Sequence, residues 1–173
     1  GRGSNWCGSF KRRTSPDYER HSLALWRITK LKTQRPKLKN MYKVLKEIHF
    51  CYGHRLLNYD GKCAYPHGHN GKIEIELQSR SLDKRGMVFD FGDIKEIVQK
   101  WVDKELDHKM VLKTGDPLIK VFKELKEPYF EMRENPTAES LARLVFHYAK
   151  SKKLPISKIT FWETPSSCAT YSE

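Results

Sequence analysis

Residues 67–78 read His-Gly-His-Asn-Gly-Lys-Ile-Glu-Ile-Glu-Leu-Gln. The second half of this stretch alternates, because the apolar residues Ile73, Ile75 and Leu77 are separated by glutamates. Successive side chains of a strand point to opposite faces of its sheet, so this alternation predicts a half-buried β-strand. A strand with one apolar face requires a sheet and a covering layer, and the stretch therefore decides the fold class.

The residues before this strand predict a partner for it. Tyr42, Val44, Ile48 and Phe50 recur on even positions, which is typical of a second strand, with Lys46 as the one exception on that face. A turn-rich loop follows, marked by Asn58 and Asp60-Gly61. Beyond the pair of strands, residues 86–89 favour a third short strand.

The period then changes from two to that of a helix. A helical stripe is formed by Ile94, Ile97, Val98, Trp101, Val102 and Leu106. A smaller helix is expected over residues 117–125, and Asn135-Pro136 indicates the start of another that continues to about Lys150. Two short runs at residues 159–162 and 168–171 are predicted as the last strands of the chain. The pattern predicts an α+β fold, with an antiparallel sheet covered by helices on one face.

The charge of the chain is concentrated in its first forty residues. They contain 11 Lys or Arg against Asp17 and Glu19, whereas residues 41–173 hold 22 basic and 19 acidic side chains. The segment opens Gly-Arg-Gly-Ser, and the first methionine is Met41. We interpret residues 1–40 as a basic, disordered extension, which could be a tag, a misassigned start or a targeting arm, and residues 41–173 as the folded domain. Such an arm is more often a solvated tail than a nucleic-acid contact.

The length and composition indicate one ordinary globular domain in a reducing compartment. Hydrophobic residues make up 38% of the 173 residues, which is enough for one core. No apolar run approaches the ~20 residues that a membrane span requires, and no secretory pattern is present. The four cysteines are too scattered for a disulfide scaffold. We therefore expect a cytoplasmic protein without membrane association.

Three histidines surround the first loop. His67 and His69 have the strand spacing of two, which places both imidazoles on one face with Cα atoms roughly 6.6 Å apart. His54 leaves the preceding strand and can return across the hairpin as a third ligand. Three neutral imidazoles without a fourth protein ligand are typical of a catalytic zinc site, although loop histidines also make ordinary hydrogen bonds.

Other reactive residues lie near this loop or at the ends of elements. Cys63, four residues before His67, could serve as a thiolate base, or be a buried and inert cysteine. Asp107-His108 ends the first helix, where a carboxylate can orient an imidazole. Glu163 follows a Phe-Trp β run and could accept two N–H groups of an aminopyrimidinone ring. Each of the three also has a purely structural interpretation.

Six fragments, in this order along the chain, resemble the 6-pyruvoyl-tetrahydropterin synthase family. They are Gly53-His54-Arg55-Leu56, Cys63-Ala-Tyr-Pro-His67-Gly-His69-Asn70, Gly86-Met-Val-Phe-Asp90-Phe91, Leu106-Asp-His-Lys109, Asn135-Pro-Thr-Ala-Glu139 and Trp162-Glu163-Thr164. The match extends from about Met41 to Tyr171. The resemblance implies the tunnelling fold (T-fold), a four-stranded antiparallel sheet that carries two helices on one face. It also implies homo-oligomeric rings, paired into an assembly such as a hexamer, with active sites between subunits.

The resemblance implies roles for the reactive residues. The histidines that match His54, His67 and His69 hold zinc, and the cysteine that matches Cys63 is the catalytic base. An Asp-His pair such as Asp107-His108 supports this base and can come from the neighbouring subunit.

Further positions correspond to substrate contacts. The glutamate that matches Glu163 anchors the pterin or takes part in the relay, and Thr137 and Glu139 match additional ring contacts. One departure is visible, because family members often carry an aromatic or other large residue where this chain has Gly71. The departure concerns the packing beside the zinc, not its ligands.

The gap of three residues between Cys63 and His67 resembles the bacterial 6-carboxytetrahydropterin synthases of the queuosine pathway, whereas the animal-type pyruvoyl synthases have a longer gap. The reaction implied converts 7,8-dihydroneopterin triphosphate to 6-carboxytetrahydropterin, with release of acetaldehyde and triphosphate. Cys63 would remove a proton from the carbon side chain, His108 would act as a general acid, and zinc would be a Lewis acid.

Two other functions remain open from the sequence. A pyruvoyl-type synthase would use the same residues and eliminate triphosphate without releasing an aldehyde. A zinc-stabilised module whose basic arm binds nucleic acid belongs to another class. A structural zinc site is closed by four protein ligands, so Cys63 would then have to coordinate the metal.

Overall fold

The computed structural model describes residues 40–173, so the predicted basic extension lies, apart from its last residue, outside the described part of the chain. Within residues 40–173 one sheet contains six strands: β1 (Tyr42–His54), β2 (His67–Ser79), β3 (Lys109–Lys113), β4 (Tyr129–Met132), β5 (Ile156–Thr164) and β6 (Ser167–Tyr171). The helices are α1 (the consecutive segments Phe91–Ile94, Lys95–Gln99 and Lys100–Glu105), α2 (Leu118–Leu125) and α3 (Ala138–Ser151).

The strand order in the sheet is β4-β3-β1-β2-β5-β6. β1, β2, β5 and β6 pair antiparallel, whereas β3 pairs with β1, and β4 with β3, in parallel. The α+β class is therefore confirmed, but the expectation of a four-stranded antiparallel sheet is wrong in detail, because two short parallel strands extend the sheet beyond β1.

The sequence gives little sign of these two strands. The centre of β3 is the continuous apolar run Met110-Val111-Leu112, and β4 has only four residues. A short continuous apolar run cannot be assigned to a strand or a helix by its period.

The strand expected at residues 86–89 is also wrong, because this segment is irregular and follows a turn at residues 84–85. The Asp83 carboxylate accepts hydrogen bonds from the backbone N–H groups of Arg85 and Met87. Gly86 has a φ of 81°, a left-handed conformation that favours glycine and ends an extended chain.

β1 and β2 pair along their whole length, from Tyr42 opposite Ser79 to His54 opposite His67. In this register the even-numbered residues of β1 and the odd-numbered residues of β2 share one face of the sheet. That face is the buried one, and it carries Ile48, Phe50, Tyr52, Ile73, Ile75 and Leu77.

One apolar core lies between this face and helices α1 and α3. The helical residues of the core are Ile94, Val98, Val102, Leu141, Ala142, Val145, Phe146 and Ala149. The predicted arrangement of two helices on one face is thus present, with the short α2 as an additional element. No helix within residues 40–173 has the length and apolar character needed to cross a membrane.

α1 contains a π-helical turn at Lys95–Gln99. Its buried residues are four positions apart, at Ile94, Val98 and Val102, followed by buried Leu106. Four residues exceed the 3.6 residues of an α-helical turn, and over three turns the excess is about one residue. The wider π turn takes up this one extra residue, and the apolar side chains of α1 therefore face the sheet along the whole helix.

α3 begins at Ala138, later than Asn135-Pro136 suggested. Thr137 is the N-cap, and its Oγ1 accepts a hydrogen bond of 3.3 Å from the Ser140 N–H. Asn135 instead holds the loop after β1, because its side-chain oxygen accepts from the Leu57 N–H (2.8 Å) and its amide donates to the Leu57 carbonyl (3.0 Å).

A buried ion pair holds the start of the same loop. The Arg55 guanidinium, next to His54, donates two hydrogen bonds to Asp116, one of them 2.8 Å long. The Asp116 side chain is fully buried and also accepts from the Leu118 N–H. Burial opposes ionisation of Asp116, but the guanidinium and this N–H outweigh it and lower the pKa of the carboxyl group.

We predict that Asp116→Ala lowers the free energy of unfolding by about 3 kcal/mol, because it leaves the Arg55 charge without its partner in a partly buried position. Urea denaturation measures this change. Glu124→Ala is the matched control, since it breaks the exposed Lys120–Glu124 pair on α2 and should cost less than about 0.5 kcal/mol. Equal effects of the two substitutions would contradict the structural role of the buried pair.

Candidate functional site

The three loop histidines lie at the joined ends of β1 and β2. His54 is the last residue of β1 and pairs with His67, the first residue of β2, while His69 pairs with Tyr52. All three belong to the buried face of the sheet, because this face carries the even-numbered residues of β1 and the odd-numbered residues of β2. The hairpin register therefore brings the imidazoles together.

The ring nitrogens converge closely. His54 Nε2 lies 3.0 Å from His67 Nε2 and 3.1 Å from His69 Nε2. The ligand atoms of all three histidines lie within 4.8 Å of one another. Nitrogens bound to one zinc ion at about 2.0–2.1 Å have mutual separations close to these values.

Backbone carbonyl groups determine which ring nitrogens carry protons. His54 Nδ1 lies 2.6 Å from the Pro136 carbonyl oxygen, and His67 Nδ1 lies 2.8 Å from the Tyr65 carbonyl oxygen. A carbonyl oxygen only accepts, so each Nδ1 must donate. In the neutral rings the two Nε2 atoms then have lone pairs that face each other across 3.0 Å. A shared cation satisfies this arrangement, whereas a hydrogen bond between the two atoms cannot form.

The surroundings favour the neutral form of two of the imidazoles, His54 and His69. Burial lowers the pKa of His54 to about 4, despite the opposing hydrogen bond to Pro136. Burial likewise lowers the pKa of His69, against the attraction of the Glu163 carboxylate. Neutral imidazole is the form that binds a metal, so the cluster is able to hold a metal ion at neutral pH.

A cavity of 240 Å³ adjoins His54 and is called here the Cys63 cavity. It is lined by His54, Leu56, Cys63, Thr137, Ala138, Glu139, Glu163, Ser167, Cys168 and Ala169. The structure thus brings together the predicted base and all three predicted substrate-binding residues, beside one of the predicted metal ligands. Within this cavity, Glu163 Oε1 lies 3.9 Å from His54 Nε2.

Cys63 lies in a short 3-10 turn, Lys62–Ala64, of the loop that joins β1 to β2. The Cys63 carbonyl accepts a hydrogen bond of 2.8 Å from the Leu56 N–H, which ties the turn to the residues after His54. The thiol is free and partly exposed. It is therefore accessible to a molecule in the cavity.

Asp107 and His108 lie apart from the Cys63 cavity. Asp107 Oδ2 is 2.9 Å from His108 Nδ1, and Asp107 Oδ1 accepts from the Cys51 N–H. Burial opposes ionisation of Asp107, but the hydrogen bonds from Cys51 and His108 outweigh it and lower the pKa of the carboxyl group. His108 lies in the turn that follows α1 and has a φ of 56°, a left-handed conformation, and its imidazole is exposed.

His108 lines a second, larger cavity of 580 Å³. Its other lining residues include Cys51, Asn70, His67 and His69. The histidine cluster consequently lies between two cavities, with Cys63 on one and His108 on the other.

Sequence reasoning missed several residues that shape this site. Tyr52 packs against His54 and His69, with ring centroids 5.3 and 5.7 Å away, and burial raises its pKa well above the ordinary value. Its even position on β1, in line with Phe50, was the signal that could have found it. The contributions of Pro136 and Tyr65 are backbone carbonyls, for which the sequence contains no signal.

Comparisons with known proteins agree with this geometry. The family model for 6-pyruvoyl tetrahydropterin synthase matches residues 43–173. A 6-carboxy-5,6,7,8-tetrahydropterin synthase from Rickettsia bellii is 35% identical over 133 residues, which cover 73% of this chain and 96% of that protein. An enzyme of the same name from Haemophilus influenzae is 35% identical over 141 residues, 77% of this chain and 100% of that protein.

Solved structures show the same fold. An uncharacterized protein from Wolinella succinogenes superposes with a TM-score of 0.66 at 28% identity, covering 78% of this chain and 99% of that one. The 6-pyruvoyl tetrahydropterin synthase of Caenorhabditis elegans superposes with a TM-score of 0.59 at 24% identity, over 78% and 96% of the two chains. The match to the family model covers most of the chain, and the chain therefore belongs to the 6-pyruvoyl tetrahydropterin synthase family of T-fold enzymes.

Proposed function

We propose that the protein is a zinc-dependent lyase that converts 7,8-dihydroneopterin triphosphate to 6-carboxy-5,6,7,8-tetrahydropterin. The observation that carries this proposal is the convergence of His54, His67 and His69 beside a cavity that contains a free thiol and a carboxylate. The names of the Rickettsia and Haemophilus relatives support the choice of product.

His54, His67 and His69 would hold the zinc ion through their Nε2 atoms. Three imidazoles are a common ligand set of catalytic zinc, and they leave a coordination position for a non-protein ligand. When bound, the ion supplies Lewis-acid polarisation of oxygen atoms on the substrate side chain. The carbonyl groups of Pro136 and Tyr65 hold two of the rings in the tautomer that this role needs.

The residues of the Cys63 cavity would bind and activate the substrate. Glu163 would accept hydrogen bonds from the amino and ring N–H groups of the pterin, with Thr137 and Glu139 as further ring contacts. Cys63, as the thiolate, would remove a proton from the carbon side chain attached to the ring. Its place on a turn tied to the Leu56 backbone keeps the sulfur beside this side chain.

Asp107 and His108 would deliver the second proton. Asp107 holds His108 Nδ1, which leaves Nε2 as the atom that exchanges a proton with the substrate. Because His108 lines a different cavity from Cys63, we propose that the Asp107-His108 of a neighbouring subunit completes each site. The active assembly is then a homo-oligomer, built from rings.

The reaction balances without an external reductant. The ring takes up two hydrogen atoms, and the side-chain carbon attached to it is oxidised to a carboxylate. The bond between the first and second side-chain carbons breaks, the two terminal carbons leave as acetaldehyde, and triphosphate is eliminated. Atom balance requires one water molecule. A cytoplasmic location is part of the proposal, since the free thiol of Cys63 persists in a reducing compartment.

We expect the purified protein to form 6-carboxytetrahydropterin and acetaldehyde in equal amounts from 7,8-dihydroneopterin triphosphate, because the proposed cleavage yields one of each. Mass spectrometry of the pterin, together with trapping of the aldehyde, measures both. A stoichiometric pyruvoyl product without aldehyde would contradict the carboxy-synthase assignment and favour the pyruvoyl-type reaction, while no turnover at all would exclude both.

We predict that Cys63→Ala reduces kcat by roughly 100- to 10,000-fold, the usual cost of removing a general base, while zinc content and thermal stability are retained. Steady-state kinetics and elemental analysis test this prediction. Cys168→Ala is the matched control, because Cys168 lines the same cavity and should be dispensable. Loss of zinc in Cys63→Ala, or activity above about a tenth of wild type, would show that Cys63 is not the base.

A further inference from the structure

The Tyr52 ring packs against two of the three clustered histidines, His54 and His69. It precedes His54 by two residues on β1 and pairs directly with His69 on β2. Its side chain is among the buried residues of the core, with 4% exposure. The ring stacks on Phe50 at 5.3 Å and meets Phe161 edge to face at 5.6 Å. These contacts on several sides fix the ring in one position.

Gly71 on β2 makes room for this ring. Gly71 pairs with Phe50, and a Cβ atom at this position would lie 3.1 Å from a ring carbon of Phe50 and 3.1 Å from one of Tyr52. Contacts this short would displace both rings. Gly71, which stands where family members often have a large residue, is therefore linked to Tyr52. The aromatic ring beside the histidines comes from β1, and the glycine on β2 leaves space for it.

The position of the ring brings its hydroxyl group to Glu163. Tyr52 Oη lies 3.5 Å from Glu163 Oε1, the same oxygen that lies 3.9 Å from His54 Nε2. Within residues 40–173, no other side chain lies at hydrogen-bonding distance from this carboxylate. A tyrosine hydroxyl next to a carboxylate acts as the donor. The hydroxyl group thus engages one oxygen of Glu163 and leaves the other for a ligand.

We propose that Tyr52 is a positioning residue that acts through Glu163. Its hydroxyl group holds Oε1 between the aromatic cluster and the histidines, so that Oε2 is presented to the pterin in the Cys63 cavity. This inference rests on the proposed function in assigning the pterin to Glu163. The contact of the Tyr52 ring with Gly71 makes the device a property of this chain, because a side chain at position 71 would press on the ring and shift it.

The test is Tyr52→Phe, which removes the hydroxyl group and keeps the ring. We expect KM for 7,8-dihydroneopterin triphosphate, and Kd for 7,8-dihydroneopterin measured by fluorescence titration, to rise about tenfold, the net contribution of one ordinary hydrogen bond. kcat, zinc content and melting temperature should stay near wild type, because the lost interaction contributes to binding alone. Tyr171→Phe is the matched control, since it removes a tyrosine–glutamate hydrogen bond to Glu173 that lies outside the cavity.

A double-mutant cycle separates positioning from packing. In a Glu163→Ala background, Tyr52→Phe should leave the Kd unchanged, because the hydroxyl group then has nothing to position. The same tenfold effect in both backgrounds would overturn the proposal, as would an unchanged Kd in Tyr52→Phe alone.

A crystal structure of Tyr52→Phe tests the inference independently of the reaction. We expect the Glu163 carboxylate to turn away from its position beside His54. If the wild-type protein neither binds nor turns over the pterin but Glu163 moves in the variant, the proposed function fails and the positioning role stands. A Glu163 carboxylate that keeps its place in Tyr52→Phe would overturn the positioning role, whatever the substrate is.

Discussion

The antiparallel register that places His54 opposite His67 is the constraint on which the rest of the site depends. Because side chains alternate along a strand, a slip of one residue would move His67 and His69 to the opposite face of the sheet. The same slip would expose the buried apolar residues of β2, which are in contact with α1 and α3. Hydrophobic burial along the hairpin therefore fixes the register, and the register brings the imidazoles together at the end of the core.

Backbone groups then determine what these imidazoles can do. The carbonyls of Tyr65 and Pro136 orient two rings so that unprotonated nitrogens face each other, an arrangement that is unfavourable until a cation is shared. Pro136 comes from the segment before α3, and Asn135 in the same segment holds the loop that carries Cys63. The loop that carries Cys63 and the segment before α3 are consequently held together beside the histidine cluster, and a metal ion bound there would be coupled to both.

The sequence predicted those parts of the structure that depend on local periodicity. Alternation identified β1 and β2, the helical stripe identified α1, and the spacing of His67 and His69 placed both rings on one face. It did not predict β3 and β4, whose short apolar runs have no diagnostic period, or the turn at Gly86. The contact between Tyr52 and Glu163 could not be predicted from the sequence either, because it depends on the pairing of β2 with β5 and on the space left by Gly71.

In the proposed enzyme, three imidazoles alone would bind a catalytic zinc ion, and Cys63 would remain free beside it. Zinc K-edge X-ray absorption on the purified protein distinguishes this arrangement from others, because it reports the elements around the metal. We expect imidazole nitrogens at about 2.0–2.1 Å, one further light ligand and no sulfur. A sulfur atom at about 2.3 Å would contradict this arrangement, since Cys63 would then close the site as a fourth ligand and could not serve as the base.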